Sequence, residues 1–179
     1  MLSRFVPYYF VILAILFISC DTDMSDTDYT SGKNSGKSKK ESFVKVNRYL
    51  VNTENKEISN YIRRHKIDVI ETGSGLSYQI TKHGEGQKAQ KGKIATLEYE
   101  IKLITGDVIY SSKESGPKEF KIGKGGVESG LEEAILNMRV GDKAIIIIPS
   151  HLAHGLLGDN EKIPPRSTII YEIEFTNLN

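Results

Sequence analysis

The chain has 179 residues, of which 39% are hydrophobic, so it can bury the core of one ordinary domain and still carry an extension. Its 24 basic and 23 acidic residues give a formal net charge of +1, which excludes a strong global field that would attract nucleic acid. Cys20 is the only cysteine, so neither an internal disulfide nor a cysteine-based metal cluster can form.

The first twenty residues have the outline of a signal peptide. Arg4 supplies a positive charge, residues 9–18 are apolar or aromatic, and Ser19 precedes Cys20. The apolar run is about half the ~20 residues that a membrane-spanning helix needs. Residues 17–20 resemble a bacterial lipobox, although Phe17 replaces the usual leucine. We therefore predict a signal peptide over residues 1–19 and a lipidated Cys20 that holds the protein on a membrane of the bacterial cell envelope, outside the cytoplasm. The alternative is an incidental cysteine beside a cleaved signal.

The next segment, residues 20–41, consists mainly of Ser, Thr, Asp, Gly, Asn and Lys. Such a composition cannot bury a core, so we predict a flexible tether. Gly36, Lys37 and Ser38 do not complete a phosphate-binding loop, because Gly32 lies one residue too close and no strand precedes it.

Residues 42–67 have a helical pattern and are predicted to form an extension of one or two helices. The predicted break lies near Asn52, with Thr53 as a helix cap. Ile58, Tyr61 and Ile62 form an apolar stripe at helical spacing. The apolar face within residues 43–65 packs on the main domain or binds a protein partner, and the sequence leaves both alternatives open.

Beyond residue 67 the apolar residues recur with a period of two, which is typical of β-strands. Strands are predicted at residues 69–72, 76–82, 95–103, 108–111, 144–148 and 168–176, with a further short strand that ends at Gly123. One helix is predicted from Glu128 to Met138, with an apolar face at spacings of three and four residues. We therefore predict an α+β domain over residues 68–179, in which a five- to six-stranded antiparallel sheet wraps around one short helix.

From residue 76 to the end, the chain resembles the FKBP-type peptidyl-prolyl cis/trans isomerases. The motifs that carry this resemblance are, in chain order, Tyr99, Gly106-Asp107, Phe120-Lys121-Ile122-Gly123, residues 127–133, Met138-Arg139-Val140-Gly141, Ala153-His154-Gly155 and Ile163-Pro164-Pro165. Asn47-Arg48-Tyr49-Leu50, on a helical extension behind a lipobox, resembles the gliding-motility-associated lipoprotein members. The resemblance implies isomerisation of X-Pro bonds in exported or envelope proteins, with no cofactor.

Rotation about an X-Pro bond crosses a barrier of ~18–20 kcal/mol and needs no nucleophile, metal or proton transfer. A twisted amide has lost resonance and charge separation, so an apolar, water-poor pocket suits it better than the planar ground state. The resemblance implies a pocket lined by Tyr99, Ile109, Val127, Leu131, Ile163 and Tyr171. It also implies that the backbone N–H of Glu128 donates to the substrate. Four of these side chains, Tyr99, Val127, Leu131 and Tyr171, lie on core-facing positions that would be buried without any site.

Several positions depart from the usual pattern of the family. Tyr110 stands where an aspartate is usual, Ile109 replaces phenylalanine, Leu131 replaces tryptophan and Lys118 replaces an aromatic residue. His154 replaces a tyrosine, and its imidazole can still donate a hydrogen bond to a substrate carbonyl. These departures bear on catalytic efficiency and on macrolide binding. Tyr110 and Leu131 favour the alternative of a non-catalytic chaperone or assembly module.

The sequence does not support two other kinds of site. His151 and His154, with Asp159 or Glu161, could be imagined as metal ligands, but a glycine-containing loop offers no rigid frame for three or four convergent donors. Ser150 beside His151 lacks the strand-to-helix turn of a nucleophilic serine. We therefore predict no metal.

Overall fold

The computed structural model describes residues 32–179, with side chains from residue 39 onward. The helices of this part are α1 (Gly32–His65), α2 (Ser112–Ser115) and α3 (Ser129–Ile135). The strands are β1 (Ile70–Glu71), β2 (Ser77–Lys82), β3 (Ile94–Leu103), β4 (Val108–Ser111), β5 (Lys118–Lys121), β6 (Lys143–Ile148) and β7 (Ile169–Leu178). A 3₁₀ turn covers Ser150–Leu152. The predicted signal peptide, Cys20 and the first part of the tether lie outside the described residues.

Within residues 32–179, the strands form one seven-stranded antiparallel sheet in the order β1-β2-β6-β7-β3-β4, and β5 also pairs with β3. The predicted α+β class is confirmed by this architecture and by the solved structures that it resembles. The sheet exceeds the expected five or six strands because both the two-residue β1 and the four-residue β5 are paired.

The main core lies between one face of the sheet and α3. Strands β3 and β7 turn alternate residues toward this face, as the period of two predicts, and α3 covers them with Leu131, Ala134 and Ile135, all fully buried. Phe120 also joins this core. The helix stops at Ile135, because the next N–H groups bond to carbonyls three residues back. It is therefore shorter than the predicted span to Met138.

A second apolar cluster lies on the opposite face of the sheet, under the C-terminal half of α1. It joins Ile58 and Tyr61 of the helix to Ile147 of β6 and Ile170 of β7. Residues 45–179 form one compact unit, and this part of α1 belongs to it. The stripe at Ile58 and Tyr61 therefore packs on the main domain. A partner surface elsewhere within residues 43–65 stays a prediction.

Two expectations for the N-terminal region are corrected. The helix α1 is continuous, without the expected break at Asn52, and the Thr53 hydroxyl donates to the carbonyl of Tyr49 at 2.9 Å instead of capping a second helix. Residues 32–41, expected in the tether, are also helical. The packed stripe near Ile58 stabilises the helix, and the Lys and Glu residues before it have good helix propensity. Within the described residues, no helix is long and apolar enough to cross a membrane.

Candidate active site

The site forms where β3, β7, α3 and the segment after β6 meet in the main core. Tyr99 of β3 and Tyr171 of β7 lie diagonally across the strand pair, and their ring centroids are 6.2 Å apart at an interplanar angle of 49°. Tyr171 is fully buried, whereas Tyr99 is half-buried. The structure therefore brings together the two aromatic rings that the resemblance assigned to the pocket.

Four aliphatic residues assigned to the pocket lie in the same cluster. Leu131 and Ile163 are buried, Ile109 is 9% exposed, and Val127 is half-buried against them. They come from α3 and the residues before it, from β4, and from the segment between β6 and β7. These side chains supply the apolar wall that a twisted amide requires.

Glu128 precedes α3 as its N-cap residue, with φ −58° and ψ 139°. Its carbonyl accepts the N–H of Glu132 at 3.1 Å, which starts the helix. Among the described residues, the backbone N–H of Glu128 has no hydrogen-bond partner. This donor therefore remains available beside the apolar wall.

The Glu128 side chain turns into the same site, which the sequence did not predict. Its side chain is only 7% exposed, and it accepts the Tyr171 hydroxyl at 2.9 Å and 3.0 Å. Lys118 Nζ donates to the same hydroxyl at 2.8 Å and lies 3.9 Å from the carboxylate. Burial, followed by the charge of Glu128, raises the pKa of Tyr171, so the phenol stays protonated.

Lys118 also lies near both aromatic rings. Its Nζ is 5.2 Å from the ring centroid of Tyr99 and 5.3 Å from that of Tyr171, within the range of a cation–π contact. Together with Glu128, it covers the aromatic wall with a pair of opposite charges. Part of the signal for this arrangement was present in the sequence, because Lys118 stands where an aromatic residue is usual.

His154 lies in the segment between β6 and β7, and its Nε2 is 3.1 Å from Glu128 Oε1. In this conformation the imidazole therefore faces Glu128, whereas the sequence assigned it to a substrate carbonyl. His151 faces elsewhere, with Nε2 3.0 Å from the carbonyl oxygen of Ser74. The two histidines thus have different partners.

Tyr110 is held by an acidic pair in the segment that follows β6. Its hydroxyl donates to Asp159 at 2.6 Å and to Glu161 at 3.2 Å. Asp159 also accepts the backbone N–H of Ile163 at 2.7 Å, so this network fixes an apolar pocket residue. Burial alone would raise the pKa of Asp159. The hydrogen bonds from the Tyr110 hydroxyl and from the backbone N–H groups of Glu161 and Ile163 outweigh it and lower the pKa to about 2.

A surface depression of about 560 Å³ lies beside β3, β6 and β7. Its lining includes the charged residues Glu98, Glu100, Lys113, Lys143, Glu172 and Glu174. Tyr99 also lines this depression, but the other five residues assigned to the prolyl pocket do not, so the depression is not the predicted pocket.

Comparison with known proteins agrees with this architecture. The family described as FKBP-type peptidyl-prolyl cis-trans isomerase matches residues 85–176, just over half of the chain. The chain belongs to the FKBP-type peptidyl-prolyl cis-trans isomerase family. The predicted family is therefore confirmed, and its description is that of a peptidyl-prolyl cis-trans isomerase.

Two curated relatives illustrate the similarity. Over 108 residues the chain is 39% identical to the "Probable FKBP-type peptidyl-prolyl cis-trans isomerase FkpA" of Neisseria meningitidis, a match that covers 60% of this chain and 39% of that protein. Over 106 residues it is 40% identical to "FK506-binding protein 2" of Yarrowia lipolytica, covering 59% of this chain and 74% of that protein.

Solved structures show the same fold. AtFKBP13 aligns with a TM-score of 0.60 and 33% identity, covering 63% of this chain and 99% of that chain. FkpA from Escherichia coli aligns with a TM-score of 0.64, covering 97% of this chain and 81% of that chain. Its identity is 23%, so this second likeness concerns the fold alone.

Proposed function

We propose that this chain catalyses cis/trans isomerisation of X-Pro bonds in protein substrates. The observation that carries the proposal is the unpartnered backbone N–H of Glu128 beside the apolar wall of Tyr99, Leu131 and Tyr171. A donor fixed by the start of α3 would hold a substrate carbonyl, while the prolyl ring packs against the apolar side chains. Rotation would then proceed where water is excluded, which favours the twisted amide over the planar one.

Binding of a prolyl ring requires movement of the side chains that cover the wall. Glu128 and Lys118 both bond to the Tyr171 hydroxyl, so the ring has to displace them or pack beside them. Each lost hydrogen bond to a charged group costs about 1.5–3 kcal/mol. The covered wall therefore supports slower catalysis than an open apolar pocket would give.

The proposed substrates are exported or envelope proteins that contain proline. This part of the proposal rests on the sequence of residues 1–20, where a signal outline ends at Cys20, and on the lipid anchor that a lipobox implies. The resemblance of residues 47–50 to gliding-motility-associated lipoproteins supports the same location. Mass spectrometry of the membrane fraction tests it, since an intact Cys20 on a chain that still carries residues 1–19 would contradict the proposed anchor.

A non-catalytic binding module is the second candidate. The observation that favours it is the charged pair of Glu128 and Lys118 over the aromatic wall. Such a module would hold a protein partner in the groove or on residues 43–65 without accelerating rotation.

The deciding experiment measures prolyl isomerisation by a soluble fragment that begins at Ser42, on peptides with varied residues before proline. Tyr99→Ala is a better control than Tyr171→Ala. Tyr99 is half-buried, whereas truncation of the fully buried Tyr171 would leave a cavity. Turnover that falls in the Tyr99→Ala variant supports the isomerase. A folded fragment without turnover favours the binding module.

A further inference from the structure

One carboxylate of α1 holds both ends of the segment that carries His154. Glu54 Oε1 accepts the backbone N–H of Ser150 at 2.6 Å and the hydroxyl of Thr168 at 2.8 Å. Its other oxygen, Oε2, accepts the hydroxyl of Ser150 at 3.0 Å. Ser150 follows β6 by two residues and Thr168 directly precedes β7. We call the segment between them, residues 150–168, the flap.

The start of the flap is built on Ser150. The carbonyl of Ser150 accepts the N–H groups of Ala153 at 3.1 Å and Gly155 at 2.8 Å. The carbonyl of Gly155 in turn accepts the N–H of Arg166 at 2.9 Å, which joins the two arms of the flap. The orientation of the Ser150 peptide therefore sets the turn that presents His154.

The two residues that Glu54 binds are buried. Ser150 is 7% exposed and Thr168 is 5% exposed, so their donors would lose a hydrogen-bond partner if the carboxylate were absent. A second link from α1 supports the same arm, since Arg166 donates to the Asn47 side chain at 3.2 Å. The helix α1 thus binds the flap near its two ends, close to β6 and β7. His154 lies between these two ends.

We propose that Glu54 is a positioning residue, which holds the flap over the prolyl pocket by binding Ser150 and Thr168 at once. Glu54 acts through the flap and does not touch the substrate. The catalytic part of this inference rests on the proposed isomerase function. When only a fraction of molecules has the flap in place, the apparent affinity for substrate falls by that fraction. Loss of Glu54 is therefore expected to weaken substrate binding more than it slows rotation of the X-Pro bond in the bound substrate.

The first test measures amide hydrogen exchange by NMR on the full-length chain in detergent. In Glu54→Ala, the amides of Gly155 and Arg166 are expected to exchange about tenfold faster, while the amides of β3 and β7 keep their protection. The matched control is Glu57→Ala, which makes the same change at an exposed position one turn further along α1. Equal protection of the flap in Glu54→Ala and wild type would overturn the proposal. An equal loss of protection throughout the sheet would overturn it too, because Glu54 would then support overall stability alone.

The second test measures isomerisation over a range of peptide concentrations. Glu54→Ala is expected to raise KM about three- to tenfold with kcat within about twofold of wild type. Ile58→Val serves as a stability control, because Ile58 anchors the same helix without touching the flap. A KM shift of equal size in Ile58→Val, or none in Glu54→Ala, would overturn the proposal. An inactive wild type would contradict the isomerase function, and the exchange experiment would still decide whether Glu54 positions the flap.

Discussion

The Nε2 atom of His154 lies 3.1 Å from the Oε1 atom of Glu128, which joins the flap to the start of α3 across the apolar pocket. The same carboxylate accepts the hydroxyl of Tyr171 from the wall of the pocket. One buried acidic side chain thus connects the flap, the helix and the sheet. A substrate that enters this pocket has to compete with Glu128 for the space beside Tyr171.

Removing this side chain is expected to increase activity. In Glu128→Val the backbone N–H remains, the carboxylate is gone and the wall gains an apolar group. We expect kcat/KM for a Leu-Pro peptide to rise at least about tenfold, because the substrate no longer displaces a hydrogen bond worth about 1.5–3 kcal/mol. Exchange NMR measures the rate of cis/trans isomerisation of the Leu-Pro bond. Glu119→Val, at an exposed position of β5, is the control, and a lower rate in Glu128→Val would show that the carboxylate assists the reaction.

A small substitution on α3 is expected to destabilise the fold. A Cβ atom at Gly130 would lie 2.4 Å from Ile148 Cγ2 of β6, so Gly130→Ala forces the helix and the strand apart. Overpacking of this kind costs about 1–3 kcal/mol, although alanine is the better helix former. Denaturant unfolding measures the difference. Equal or greater stability of Gly130→Ala would mean that α3 can move away from β6 without loss.

The Tyr110 and Asp159 pair predicts a specific dependence of stability on pH. The pKa of Asp159 is lowered from 3.8 to about 2 in the folded chain, so its contribution is complete above pH 3.8 and is lost as pH falls toward 2. Tyr110→Phe removes the strongest of the hydrogen bonds that lower this pKa. The difference in unfolding free energy between wild type and Tyr110→Phe should therefore shrink on acidification through this range. Tyr49→Phe, at an exposed site, is the control. A difference that stays constant with pH would rule out this coupling.

The packing of α1 on the sheet predicts opposite results for two apolar residues of the helix. Ile58 is buried against Ile147 and Ile170, so Ile58→Ala is expected to cost about 2–5 kcal/mol of stability. Tyr49 is 69% exposed, so Tyr49→Ala should change stability by less than about 0.5 kcal/mol. Thermal and denaturant unfolding of both variants provide the measurement. Similar small effects at both positions would show that α1 contributes little to the unit formed by residues 45–179.

The fold could be predicted from the sequence largely because its patterns are local. The alternation in β3 and β7 and the apolar face of α3 each identify an element without knowledge of its neighbours. The packing of α1 could not be predicted in the same way, since an apolar helical stripe does not reveal what covers it. The run of four isoleucines in β6 offered a clue, because a strand with apolar residues on both faces is typically covered on both sides.

The sequence predicted the apolar side chains and the backbone donor of the site, but not the contacts among its polar side chains. The resemblance led to the apolar wall and to the N–H of Glu128, both of which the structure brings together. It did not predict that the side chains of Glu128 and Lys118 would meet at the hydroxyl of Tyr171. Contacts of this kind depend on the rotamers of residues that are far apart in the chain. Glu128 and Tyr171 are separated by 43 positions and Lys118 and Tyr171 by 53, so no local pattern determines these contacts.

The most direct test of the central claim separates the backbone donor of Glu128 from its side chain. Glu128→Ala removes only the side chain, whereas Glu128→Pro also removes the N–H, and a φ of −58° accommodates proline at this N-cap position. The measurement is kcat/KM for prolyl isomerisation by both variants, after unfolding experiments show that both are folded. We expect Glu128→Ala to retain or exceed wild-type activity and Glu128→Pro to lose at least about tenfold, which corresponds to about 1.4 kcal/mol. Equal activities of the two folded variants would contradict the proposal that this N–H binds the substrate during rotation.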